Sequence, residues 1–179
     1  VSSVFIGGSR KLTRLNKLIR ERLDKVLANN FTILVGDANG TDRAVQSYLA
    51  QKGYANVRVY CVNGHCRNNL GAWHHIPVSA SSTRRDFRYF VAKDVAMAQD
   101  ASYGFMIWDG KSKGTLNNVL NLLSQKKKVL FYVSPRKKFW TVSDFTDLQT
   151  LLPSSAIPLL RTLLNHSHME MLVAPASTE

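Results

Sequence analysis

The sequence is poor in cysteine, in acidic residues and in long apolar runs, and each shortage excludes something. Two cysteines, Cys61 and Cys66, are too few for the disulfide framework of a small secreted scaffold. Residues 1–10 lack the basic-then-apolar pattern of a secretory signal, so free thiols and a cytoplasmic location are expected. No stretch reaches the roughly 20 apolar residues that a spanning helix needs, and no membrane partner is expected. Glycine shows no period, which excludes a collagen-like chain, and 45% hydrophobic residues exclude a disordered one. Acids number 12 against 24 lysines plus arginines, a formal charge of +12. Such an excess attracts polyanions: nucleic acid, nucleotides or phosphosugars.

What remains is enough apolar sequence for one domain with its own core in 179 residues. Short apolar runs at 3–6, 31–35, 57–62, 103–108 and 129–133 read as five strands. Between them, helical spacing begins at Leu12, with Thr13 as its cap, then after Gly40, across 83–99, and from Leu116 to Leu123. The strands are runs rather than alternations, which argues an α/β domain: a mainly parallel sheet with helices on both faces. Residues 63–82 read as an irregular loop, and loops of that length are usually functional or mobile. Pro135 and the basic run from Arg136 end the core, 1–134. A helical extension over 135–165 and a polar tail over 166–179 follow.

In open parallel sheets, ligands sit beyond the carboxyl ends of the strands. Three such ends carry small residues that let a backbone approach a phosphate. The first is Gly7, Gly8, Ser9 and Arg10. The second is Gly36, Asp37, Ala38, Asn39, Gly40, Thr41 and Asp42. The third runs from Asp109 and Gly110 to Gly114 and Thr115. The second and third lead into helices, whose unpaired amides suit an anion. Thr41 and Thr115 offer hydroxyls and Arg10 a guanidinium fork.

In order and spacing, Gly8-Ser9-Arg10 followed by Gly36-Asp37-Ala38-Asn39-Gly40-Thr41-Asp42 resembles the GSR…G-x-A-x-G-x-D pattern of the SLOG superfamily. That group unites the DNA-processing protein A family with the Lonely Guy phosphoribohydrolases. The nearest flavour is its small, stand-alone YspA/YpsA-related branch. The stretch 109–118 is similar to the superfamily's third element, a Gly-Thr turn opening a helix. The resemblance covers about residues 4–133. It implies a single Rossmann-like three-layer domain and a nucleotide or nucleotide-derived ligand held by the three loops. The enzymes of the group act on N-glycosidic bonds with the glutamate of a Gly-Thr-x-x-Glu turn. Here Asn118 stands at that place, and an amide is neither a general base nor a carboxylate nucleophile. Asp109 or Asp42 would have to supply the carboxylate. Binding or sensing of a nucleotide is therefore the expected function, with N-glycosidic hydrolysis or transfer as the alternative.

Two further clusters belong to the expected pocket. Arg84, Arg85 and Arg88 sit at the start of a helix, where positive charge opposes the macrodipole unless an anion is near. The superfamily places a phosphate-contacting arginine in this helix. The loop around Cys61, His65, Cys66, Trp73, His74 and His75 has poor zinc spacing, so no metal or other cofactor is expected. Trp73 and a histidine of this loop are expected to cover the ligand, since aromatic faces stack on bases. The basic runs at 126–128 and 136–138 make single-stranded nucleic acid a second alternative partner. A homodimer that closes the pocket is a further expectation from the superfamily.

Overall fold

The computed structural model describes residues 1–80 and 87–166, and of Phe87 and Arg88 the helical backbone only. In chain order the elements are β1 (Ser3–Gly8), α1 (Lys17–Ala28), β2 (Thr32–Gly36), α2 (Thr41–Gln51), β3 (Val57–Val62) and β4 (His74–Val78). They continue with α3 (Phe87–Asp100), β5 (Tyr103–Trp108), α4 (Lys113–Ser124), β6 (Val129–Val133), β7 (Lys138–Val142), α5 (Phe145–Leu151) and α6 (Ile157–His166). Among the described residues, one sheet holds seven strands in the order β4-β3-β2-β1-β5-β6-β7. Every pair is parallel except β6 and β7.

The inner strands are buried on both faces because alternate residues serve two cores. Phe5 points to one and Val4 and Ile6 to the other. The face of Ile6 is covered by α1 and α2 through Ile19, Leu23, Val45 and Leu49. The face of Phe5 is covered by α3, α4 and α6 through Met97, Leu116, Leu120 and Leu160. The result is a three-layer, Rossmann-like α/β arrangement.

Several expectations need correction. The sheet has seven strands, not five. β4 lies inside the stretch read as a loop, and it escapes notice because His74, His75 and Pro77 break any apolar run. β7 follows Lys137, whose left-handed backbone (φ 49°) reverses the chain directly after β6, so the extension beyond residue 134 is not wholly helical. The cap of α1 is Asn16, whose Oδ1 accepts from the Ile19 amide at 3.0 Å, rather than Thr13. Cys61 and Cys66 are joined in a disulfide instead of being free thiols. The reason is local: Asn63 and Gly64 both take positive φ and turn the chain back over the end of β3. Among the described residues, no helix is long and apolar enough to cross a membrane.

Candidate functional site

The sheet reverses its winding between β1 and β5. After β1 the chain adds β2 to β4 on one side, then returns to add β5 to β7 on the other. A crevice opens beyond the carboxyl ends of strands at such a point. Here it is a cavity of about 460 Å³, bounded by the loop after β1, the loop after β5, the start of α4 and one face of α3. That volume suits a small metabolite.

The first and third glycine-bearing loops meet in this cavity. Gly7, Gly8, Ser9 and Arg10 line it, and so do Asp109, Gly114 and Thr115. Gly8 is required by a close approach: a Cβ there would run into the Ile107 carbonyl and the Thr41 side chain. The Ser9 hydroxyl donates to Asp109 Oδ2 at 2.8 Å, tying the two loops together. Asp109 Oδ1 accepts from the amides of Lys111 (3.0 Å) and Ser112 (2.7 Å). Burial works to raise the Asp109 carboxyl, but these donors outweigh it and hold it below its ordinary value. Asp109 thus braces the turn while lining the cavity. Gly110 (φ 88°) makes that turn without lining the cavity. Ser112 caps α4 by accepting from the Thr115 amide, and its Oγ also takes the Thr115 hydroxyl at 3.0 Å.

The second loop is held by hydrogen bonds to its neighbours, and most of it lies outside the cavity lining. Thr41 directs both its amide (3.1 Å) and its hydroxyl (2.8 Å) to the Ser9 carbonyl. Gly40 has φ 82°, and any side chain there would collide with the Arg10 backbone. The start of α2 is filled by this contact and by Asp42, whose Oδ2 accepts from the Ala38 amide at 3.1 Å. Gly36 leaves room for Asp42 and Lys93, which a Cβ would strike. Asn39 faces outward and meets Asn68 Nδ2 at 3.1 Å. Of the seven residues expected to bind ligand here, Ala38 and Asp42 alone reach the cavity lining.

Beneath the second loop lies a buried charge cluster. Asp37 accepts from the Arg67 amide (3.0 Å), from Arg67 Nε (3.2 Å) and Nη2 (2.8 Å), and from Lys93 Nζ (3.0 Å). Burial alone would raise its carboxyl, but Arg67 and Lys93 overcome this and bring it down to about 2. Lys93 also lies 3.7 Å from Asp42 Oδ2. Burial opposes the charge on Lys93, yet Asp42, Asp94 and Asp37 together keep it cationic. Asp42 is pushed upward because its burial outweighs the attraction of Lys93.

Asp94 was not apparent from the sequence. It projects from α3 into the cavity between Val91 and Met97. It keeps some exposure on the cavity side and is crowded by protein elsewhere. Burial raises its carboxyl to about 6; Lys93 pulls it down and the Asp42 charge pushes it further up. Asn118 lines the same cavity, and its Oδ1 is buried without a hydrogen-bond partner. Phe90, one turn before, carries the guanidinium groups of Arg10 at 4.8 Å and Arg67 at 4.7 Å over its ring. The available signal was Lys93-Asp94 itself, a charged pair in line with the apolar positions Phe90 and Met97.

Trp73 does not line this cavity. Its indole N–H donates to the Tyr54 carbonyl at 2.8 Å, and the ring packs on the core beside α2, away from the cavity. Buried Gln46 secures the same loop through the carbonyl of Asn68 and the amide of Leu70. Arg84 and Arg85 lie outside the described residues, and Arg88 is described only as part of α3. Among the described residues, no group of histidine, cysteine or acids is arranged to hold a metal ion. No family model, curated protein or solved structure matches the chain.

Proposed function

We propose that the chain binds a nucleotide or nucleotide-derived ligand in the cavity between β1 and β5. The observation that carries this reading is the meeting of two glycine-bearing strand ends and the first turn of α4 around one cavity. The phosphate end lies against Gly8 to Lys11 and Gly114, where Arg10, Lys11, Lys111 and Lys113 supply positive charge. The apolar stretch of Phe5, Val91 and Met97 faces the less polar part of the ligand. This agrees with the ligand class that the resemblance to the SLOG superfamily implies.

Calorimetric titration with inorganic phosphate, pyrophosphate and a panel of nucleotides tests the reading. Arg10→Ala weakens binding by roughly 1.5–3 kcal/mol, the value of a charge-assisted hydrogen bond. An unchanged dissociation constant removes Arg10 from the site. Affinity that falls steeply with salt, in proportion to many phosphates, favours single-stranded nucleic acid instead.

One observation favours turnover as a second reading. Asp109 and Asp42 are committed to internal partners, whereas Asp94 is a cavity carboxyl raised to about 6. A group that titrates there is suited to exchanging a proton near neutral pH. Release of free base from a nucleotide, abolished in Asp94→Asn, supports hydrolysis of an N-glycosidic bond. Binding without release removes it.

A further inference from the structure

A second opening lies at the other end of the sheet, by the amino ends of β1, β5 and β6. Its volume is about 350 Å³, at the lower end of small-molecule sites. Tyr103 begins β5 and Trp108 ends it, so about 17 Å of strand separates this opening from the cavity beyond β5. α1 stops at Ala28 and leaves the sheet here partly uncovered. Tyr103 is 44% exposed, and its ring lies 6.4 Å from that of Phe31. With Val26 and Leu130 these rings make an apolar floor. The rim carries Arg22 and Lys25, one turn apart on α1, and Lys128, directly before β6. The Arg22 guanidinium reaches over the Phe139 ring at 5.1 Å, which carries its charge from α1 toward β7. Among the described residues, no acid lines the opening, and none of these three cations forms an ion pair. Carbonyl dipoles at the end of α1 would repel an anion. Asn29 occupies the Lys25 carbonyl, however, with its backbone amide at 3.3 Å and its Nδ2 at 2.7 Å.

We propose that this opening binds an amphipathic carboxylate, a small acid with an apolar acyl body. The body lies on Phe31, Tyr103 and Leu130, and the carboxylate sits among Arg22, Lys25 and Lys128. Burial of the body supplies attraction in proportion to its area, and the cations select the sign of the head group. An alcohol of the same length keeps the first contribution and loses the second, and an ammonium is repelled. Charge also decides against a second copy of the chain as occupant. A two-fold pairing sets a patch against itself, which would bring these cations against their own duplicates. The inference is independent of the phosphate-binding reading of the other cavity.

The test titrates octanoate, 1-octanol and octylammonium into the full chain by calorimetry at neutral pH. The expected result is octanoate at least about tenfold tighter than octanol, with octylammonium weaker than both. Lys25→Glu combined with Lys128→Glu, both at exposed positions, removes that preference and leaves the affinity for octanol within about threefold. Lys137→Glu combined with Lys138→Glu makes the same change in net charge where the chain enters β7, at the far end of the sheet. That control leaves octanoate binding within about twofold. Thr141→Trp, exposed on β7 and part of the lining, fills the opening and weakens octanoate and octanol alike, and it decides the site if the charge reversal does not fold. Octanoate binding no tighter than octanol overturns the inference. So does a preference that survives reversal at Lys25 and Lys128, because the anion is then held elsewhere. A chain that binds none of the probes and sediments as a dimer overturns it in favour of a second copy, and one that binds none as a monomer overturns it outright.

Discussion

Replacing Asp37 by asparagine is the sharpest test of the charge cluster that supports the cavity. The change keeps the shape of the side chain and deletes its charge. Asp37 is 2% exposed, so solvent cannot take over its role. The drop of its carboxyl from an ordinary 3.8 to about 2 corresponds to about 2.5 kcal/mol of stability at neutral pH. Lys93 adds to this. It is 3% exposed, and without Asp37 it is left with Asp42 at 3.7 Å and the charge of Asp94. Removing one partner from a buried ion pair costs about 3–5 kcal/mol. The two routes bracket a loss of about 2.5–5 kcal/mol, or a fall in Tm of roughly 10 °C for a chain of this length. Urea unfolding followed by tryptophan fluorescence measures it. Because the folded carboxyl titrates below the unfolded one, its stabilisation is complete above pH 4 and disappears as pH falls through 2. The gap between wild type and Asp37→Asn therefore narrows as pH falls toward 2. Glu21→Gln, at an exposed Lys17–Glu21 pair 3.7 Å apart, is the control and shifts stability by less than about 0.5 kcal/mol. A loss under about 1 kcal/mol at pH 7, or a gap that does not change with pH, refutes the reasoning.

Three other outcomes are expected. Gly40→Ala forces a left-handed alanine into the Arg10 backbone and destabilises the fold by at least about 2 kcal/mol in thermal melts; a neutral result shows that the two loops do not touch. Cys66→Ser opens a short disulfide loop, and the loop-entropy relation gives a loss of about 2 kcal/mol under oxidising conditions. Wild type treated with a dithiol should match the variant, and resistance of both to any change argues against the bridge. Asp94→Asn acts in the opposite direction. A carboxyl raised to about 6 weakens the fold as pH climbs from 4 to 6, so removing it stabilises by about 1–2 kcal/mol at pH 8, discounted for its open side, and by nothing at pH 3. Equal effects at both pH values contradict the assignment.

The layered sheet was legible because its inner strands are apolar runs and its helices keep their spacing. The two edge strands were not. β4 holds two histidines and a proline, and β7 emerges from a basic run. The site was legible by half. Glycines after β1 and β5 mark a true meeting of strand ends. The stretch from Gly36 to Asp42 has the same composition and a different task. Its acids answer to Arg67 and Lys93, 30 and 56 residues away from Asp37, and no local pattern reveals such partners. Trp73 shows the converse: an aromatic residue near histidines suggests a ligand contact, yet an indole hydrogen bond to the Tyr54 carbonyl makes it a structural anchor.

The outermost strand of the sheet carries one more consequence. The Val78 carbonyl accepts from the Asn63 amide, so Val78 turns its polar groups inward to the neighbouring strand. By the alternation of a strand, Pro77 turns outward. Proline has no amide hydrogen, and the rim at that point offers an incoming chain no donor. A mainly parallel sheet seven strands wide is in this way denied growth by stacking edge to edge with its own copies at this rim. Exchanging Pro77 for valine would restore a continuous ladder of donors and invite self-association there.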